Sequence, residues 1–400
     1  MKILTFSSLF PNSHQASHGI FVENRLRQLL AFSPDIDVRV IAPVPWFPSS
    51  NPRFGSYAQF AGVADHEVRH GIKVLHPKYP AIPKIGMNIA PWLMYQSARN
   101  TVMHLRSQGF DFNLIDAHYF YPDGVAAMWL AEEFGRPFVV TGRGTDLNLI
   151  PQHAGPRKKI MRVAGRAAHM MTVAVALKQY LLEMGVPDER VTVLRNGVDL
   201  EFFQPVQDRQ ALRRELGFST RPTLVSVGHL IERKGHHLVI EAMQDLPTMD
   251  LVIAGDGPEK DALHQLVSHW SLQERVKFTG RLSQESLRQL YQAADALVLA
   301  SSREGWANVL LESMACGTPV VATPVDGTPE VVASAAGGRL TLDRTAPGIV
   351  WAVEMLFADL PNRPDTRRYA EGFGWDATSR GQLEIFRDVI SAHLSSPAIR

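Results

Sequence analysis

The stretch Ser301 to Ala322 reads SSREGWANVLLESMACGTPVVA, and its reading decides the fold. A buried strand, ALVLA (Ala296 to Ala300), runs into it. A loop carrying Glu304 and Gly305 follows, then a short apolar helix over roughly Asn308 to Cys316, which Asn308 is placed to N-cap. Gly317 suits the left-handed position after the helix, Pro319 blocks continuation, and the next strand starts at Val320. A strand–loop–helix start leaves backbone N–H groups at the helix N-terminus, Asn308 and Val309 among them, facing an anion such as a diphosphate. Two carboxylates bracket that position, Glu304 before the helix and Glu312 within it. Acids beside a phosphate repel it unless they bind hydroxyls, as on a sugar and a ribose. Alone, Glu304 reads as a surface loop acid and Glu312 as a solvated helix face. With the glycines and flanking strands, they point to a nucleotide-sugar.

EGWANVLLESMACGTPVVA resembles the E-x7-E signature of the group 1 retaining glycosyltransferases. That resemblance implies the GT-B fold of two facing Rossmann-like domains. It also implies that Glu304 contacts the donor sugar and Glu312 the ribose hydroxyls.

Composition bounds the rest. The chain has 400 residues, 45% hydrophobic, which at about 150 residues per domain allows two domains with proper cores. Lys plus Arg is 41 and Asp plus Glu 40, so no global basic excess argues for nucleic acid. One cysteine, Cys316, leaves no internal disulfide framework and fits a reducing compartment. MKILTFSSLFP does not read as a signal peptide, and no apolar run approaches the ~20 residues of a spanning helix. The expectation is a cytoplasmic protein that rests, at most, on the inner face of the membrane.

Apolar runs alternate with helical segments through the first half: ILTF, VRVIAP, IKVLHP, FNLIDAH, PFVVT, HMMTVA and VTVLRNG. The alternation predicts a parallel sheet with helices on both faces, and ligands beyond the carboxyl ends of its strands. Three features lie at those ends. Gly19 follows the first strand, as an ordinary turn glycine or a point of close approach to substrate. His118 ends FNLIDAH. TGRGTDLN (Thr141 to Asn148) carries Arg143 and Asp146, as a capped glycine turn or an acceptor-side loop. The family resemblance adds that a His at this place lies near the reacting sugar, and that the TGRGTDLN loop lies beside donor phosphates and acceptor. Pro80 to Arg106 and PRKKIMRVAGR (Pro156 to Arg166) are candidate acceptor or membrane surfaces. The second is a basic amphipathic helix suited to anionic lipid, or simply a solvated face.

The second half opens a new Rossmann-like set at TLVSVG (Thr223 to Gly228). In HLIERKGHH, Arg233 and Lys234 precede Gly235 at a helix start. Two cations there oppose the helix dipole unless an anion is present. The family loop at this position is G-R-x-x-x-x-K-G and clamps the diphosphate. Gly228, Lys234 and Gly235 match it; His229 stands where the arginine often lies, so Arg233 is expected to share the load with Lys234. DLVIAGDGPEK offers Gly255 and Gly257 for close backbone approach. By the resemblance, the loop at Arg281 and Leu282 holds the nucleobase through its backbone. PVDGTPEVV adds Gly327 and Glu330, the latter supporting a helix.

The resulting expectation is an N-terminal acceptor-binding domain over 1–198 with a final helix over about 375–400, and a nucleotide-sugar-binding domain over 199–374. The expected reaction is retaining transfer of a sugar from a nucleoside diphosphate sugar to a carbohydrate or lipid-linked acceptor, in cell-surface polysaccharide synthesis. No metal cofactor is expected, because the cations are placed to stabilise the leaving diphosphate. The rival readings are a nucleotide-sugar epimerase of the same architecture and a non-catalytic sugar-nucleotide binder.

Overall fold

The structure is a computed structural model that describes residues 1–47, 49, 51, 53, 60, 62–80 and 86–395. The chain divides into two compact units. One comprises Met1–Arg195 and the chain from Asp376 on; the other comprises Asn196–Trp375. Residues 81–85, within the candidate surface Pro80 to Arg106, and 396–400, at the end of the expected final helix, lie outside the described residues.

In the first unit the strands are β1 (Lys2–Phe6), β2 (Asp37–Ile41), β3 (Val44–Trp46), β4 (His66–Arg69), β5 (Ile72–Leu75), β6 (Lys78–Pro80), β7 (Leu114–His118), β8 (Phe138–Gly142), β9 (His169–Thr172) and β10 (Val191–Val193). Eight form one sheet in the order β10-β9-β8-β7-β1-β2-β5-β4, and β3 pairs separately with β6. β7 and β8 are buried at every residue, as strands covered on both faces must be. The sheet is parallel except at one edge, where β4 pairs antiparallel with β5. His70 and Gly71 make that hairpin turn, both left-handed (φ 48° and 81°), the pattern of a two-residue turn between twisted strands. The helix Ile20–Phe32 packs Val22, Leu26 and Leu29 into a core that Leu383 and Phe386 of the final helix, Asp376–Ser395, also enter.

The second unit carries β11 (Thr223–Val227), β12 (Asp250–Ala254), β13 (Val276–Gly280), β14 (Ala296–Leu299), β15 (Val320–Ala322) and β16 (Gly338–Leu340). They form one sheet in the order β13-β12-β11-β14-β15-β16, parallel throughout. Each sheet therefore has one point where chain order reverses direction: beside β1, between β2 and β7, and beside β11, between β12 and β14. Loops leaving neighbouring strands there part to opposite faces and open a crevice, the usual ligand position in such sheets.

Candidate functional site

At the reversal point of the second unit, two loops meet. One leaves β11 at Gly228, makes a single turn over Glu232–Lys234 and enters the helix His236–Ala242. The other leaves β14 and enters the helix Asn308–Ala315. Gly235 fastens them: its φ is 70°, and a Cβ there would lie 2.1 Å from the Ala300 carbonyl oxygen. Ser302 N donates to the Arg233 carbonyl at 2.8 Å, and the Arg233 guanidinium donates to the Arg303 carbonyl at 3.0 Å.

This clamp delivers both cations to Glu304. Lys234 Nζ donates to Glu304 Oε1, Ser301 Oγ donates to the same oxygen at 2.7 Å, and Arg233 lies 3.7 Å from Oε2. Glu304 N donates to Asp326 Oδ2 at 2.9 Å. Glu304 is only 8% exposed. Burial pushes its carboxyl up, but Lys234 and Arg233 outweigh burial and hold it below its ordinary range. Glu304 thus supplies an anion to the two helix-start cations. Ser301 and Asp326 complete the cluster and were not singled out in the sequence. Asp326 was legible as the residue before Gly327 in a tight turn.

Gly305, Asn308 and Val309 line the turn into the next helix and are all partly exposed. Ala307, not Asn308, holds the cap position, and Asn308 is the first helical residue. The chain has already turned at Trp306, so the Asn308 side chain is directed to Asn196 at 3.5 Å rather than to its own helix. Gly317 takes the left-handed conformation after the helix (φ 79°). Glu312, one turn in, accepts from the Tyr291 hydroxyl at 3.1 Å, and burial pushes its carboxyl up to about 7. Cys316 is fully buried, with its thiol pushed up to about 12 by that burial, so it packs rather than attacks.

The remaining expected donor residues are more dispersed. Gly228 (φ 154°) lies against the Lys234 stem. His229 is exposed, with Nδ1 against the Asp256 carbonyl. Gly257 is needed by the chain itself, because a Cβ there would lie 2.5 Å from the Leu230 carbonyl oxygen. Arg281 and Leu282 leave β13, the edge strand beyond β12. Glu330 lies in the short helix Thr328–Val331.

The first unit gathers a second cluster at its own reversal point. Gly19 (φ 65°) begins the helix Ile20–Phe32 against Leu9, whose carbonyl carbon a Cβ would approach to 2.2 Å. His118 ends β7 with Nε2 3.1 Å from Asp116 Oδ2 and Nδ1 within hydrogen-bond distance of the Arg143 guanidinium. Burial, reinforced by Arg143, pushes the imidazole down to about 4 despite Asp116. Asp146 accepts from three backbone groups, Phe120 N at 2.8 Å, Arg143 N at 3.0 Å and Gly144 N at 2.8 Å, and so fixes the turn that carries Arg143. Asp123 is likewise buried and pushed up to about 7 by that burial, against hydrogen bonds from Ser8. Elsewhere on this unit, the helix Ala154–Arg166 buries Pro156, Ile160 and Val163 and exposes Arg157, Lys158, Arg162 and Arg166. Lys159 ties it to the Asn88 carbonyl in the helix Gly86–Ser107, which exposes Trp92.

Comparison with known proteins bears on both units. Residues 208–373 match the family model described as glycosyl transferases group 1, and residues 21–202 the model described as glycosyltransferase family 4. TuaC of Bacillus subtilis (strain 168), named for teichuronic acid biosynthesis, is 32% identical over 335 residues, 82% of either chain. Sucrose-phosphate synthase from Thermosynechococcus elongatus has a similar structure, with a TM-score of 0.80 at 20% identity over 98% of this chain and 99% of that one. HepE from Anabaena in complex with UDP gives 0.74 at 20% identity, over 97% and 100%. Two Rossmann-like units of the GT-B type are the fold these likenesses share.

Proposed function

The chain belongs to the group 1 glycosyltransferases, and from that premise we propose that it moves a sugar from a nucleoside diphosphate sugar to a carbohydrate or lipid-linked saccharide with retention of anomeric configuration. The observation that carries this reading is the Lys234–Glu304–Arg233 cluster at the reversal point of the second sheet. Two cations and one buried acid on two clamped loops suit a donor whose diphosphate is anionic and whose sugar offers hydroxyls. On donor binding, Lys234 turns from Glu304 to the diphosphate, and Glu304 accepts from the sugar. The bond from the sugar C1 to the phosphate oxygen breaks. The acceptor oxygen bonds to C1 on the same face, and its proton passes to the departing phosphate oxygen. Lys234, Arg233 and the helix start at Asn308 stabilise the charge that develops there. Glu312, beyond them on the same helix, takes the ribose hydroxyls.

We further propose that these cations do the work of a divalent ion. Among the described residues no group of three or more His, Cys, Asp or Glu is placed to hold one. The UDP bound by HepE makes uridine the first base to test, and the name of TuaC favours a cell-surface polysaccharide as product. Incubation with labelled UDP-, GDP- and ADP-sugars, with and without saccharide acceptors and with a chelator present, tests the proposal. Transfer with unchanged anomeric configuration is expected. Release of an altered sugar nucleotide without acceptor, or loss of turnover on chelation, overturns it. Lys234→Ala and Glu304→Ala should each lower transfer by ~10² or more; near-native activity in either removes its assigned role.

The acceptor reading has its own test. No described helix is long and apolar enough to cross a membrane. The exposed cations of the helix Ala154–Arg166 and the neighbouring Trp92 suit the surface of an anionic bilayer instead. Flotation with anionic liposomes should carry the protein, and charge reversal at the exposed Arg157, Lys158 and Arg162 should release it. Absence of binding by the native protein removes the lipid contact.

A further inference from the structure

Behind His118 lies a continuous buried chain of polar groups. Asp116 and His118 are two residues apart on β7, so their side chains share one face of the strand. Asp116 Oδ2 accepts from Gln382 Nε2 at 3.2 Å, and Gln382 Oε1 accepts from Arg25 Nε at 2.8 Å. Arg25 NH1 also donates to the Leu194 carbonyl at 2.9 Å. At the other end, Arg143 meets His118 Nδ1 and covers the Phe21 ring at 5.6 Å. Arg25, Asp116, His118 and Gln382 are each at most 1% exposed, and Arg143 is 8% exposed. Arg143 is thus the least buried member of the chain, on the loop that leaves β8.

The two partners of His118 fix its proton. A carboxylate only accepts, so Nε2 must carry the hydrogen it shares with Asp116. A guanidinium only donates, so Nδ1 must keep its lone pair for Arg143. The ring is therefore the neutral Nε2–H tautomer, and both nitrogens are already engaged within the protein. We propose that Asp116 and Gln382 are positioning residues that act through His118 to present Arg143, rather than the imidazole, to an oxyanion of the substrate, a phosphate or carboxylate group. Gln382 gives the final helix a part in this: it holds Asp116 against the ring and occupies Arg25, which would otherwise compete for the same carboxylate. The imidazole is a spacer of fixed polarity between a buried acid and a guanidinium that burial itself pushes down. The kinetic consequence rests on the glycosyl-transfer reading; the tautomer does not.

Nitrogen-15 NMR of the histidine-labelled full chain, with His118→Asn to assign the signal, tests this directly. A protonated Nε2 and a bare Nδ1 from pH 6 to 8 are expected, with the Nε2 proton far downfield in its bond to a carboxylate. Asp116→Asn should move that proton upfield and lower kcat/KM by ~10², the cost of a misaligned contact. Gln382→Leu should act in the same direction. Asp116→Asn combined with Arg143→Lys should be no worse than Arg143→Lys alone, because both act through one contact. A proton on Nδ1 in the native chain, a doubly protonated ring, or additive losses in the double variant overturns the proposal. Should Asp116→Asn fail to fold, the native spectrum still decides the tautomer. An enzyme with the expected spectrum but no transfer activity refutes the functional reading and leaves the network intact.

Discussion

Glu304 and Glu312 face opposite surroundings on one loop and helix. Burial pushes both carboxyls up. At Glu304 two cations reverse the push; at Glu312 the Tyr291 hydroxyl only tempers it, and the group settles at about 7. The sequence displayed both acids and both cations but not their pairing, because Lys234 and Glu304 are 70 residues apart and meet only when β11 and β14 become neighbours. Asp116 was not singled out beside His118, although Asp-x-His on a strand puts both side chains on one face and would have marked it. Glu312 gives a pH signature with a definite sign. Its folded pKa of about 7 stands above its ordinary 4.5, so between those values the folded chain binds more protons than the unfolded one. The group's contribution is full below pH ~4.5 and is lost as pH rises through ~7. Glu312→Gln lacks that loss. The melting temperature of the variant minus that of the native protein should therefore grow from pH 4.5 to 7 and then level off. A gain of about 3 kcal/mol corresponds to about 6–12 °C. Thermal unfolding in buffers across that range checks it; a difference that shrinks as pH rises sinks the assignment.

Elements were read from apolar runs, and that worked wherever a strand is covered on both faces. It failed at β4, a sheet edge whose HEVR is half exposed and shows no apolar run; His70–Gly71 was its available mark. It also failed at the Asn308 cap. Asparagine is a favoured cap by propensity, but the geometry of the preceding loop put Ala307 there. That loop is governed from across the sheet by Gly235, and a comparison of two glycines isolates the effect. Gly217 and Gly235 have nearly the same φ, 65° and 70°, but a Cβ at Gly217 meets nothing within 4 Å, whereas at Gly235 it meets the Ala300 carbonyl at 2.1 Å. Gly217→Ala should cost only the left-handed conformation, about 1 kcal/mol. Gly235→Ala should cost about 2–4 kcal/mol, because backbone at the end of β14 must move as well. It should also raise the donor KM, since Lys234 and Glu304 lose their common frame. Chemical denaturation of the two variants, with donor kinetics, distinguishes them; equal costs would mean the clamp is slack.

At the scale of the whole chain, length and alternation sufficed to read two Rossmann-like domains, since each sheet needs its own run of strands and its own core. They could not reveal that the last helix contributes a polar contact as well as apolar cover, because Gln382 and Arg25 are 357 residues apart. A chain ending at Trp375 should separate the two stabilities. It lacks Leu383 and Phe386 from the core of the first unit and leaves Arg25 without Gln382. Losing one large buried side chain costs about 3–5 kcal/mol, so losing both should abolish the cooperative transition of that unit. The second unit loses no residue of its own core, Leu224 to Leu356, and should keep a transition near its native midpoint. If that unit holds the donor, UDP at about 100 times its Kd should still stabilise it by about 2.7 kcal/mol in the shortened chain. Calorimetry with and without UDP, GDP or ADP reads both effects. Loss of both transitions on truncation would show that the second unit cannot stand on its own core, and a surviving transition that UDP, GDP and ADP all leave unmoved would remove the diphosphate from the Lys234 loop.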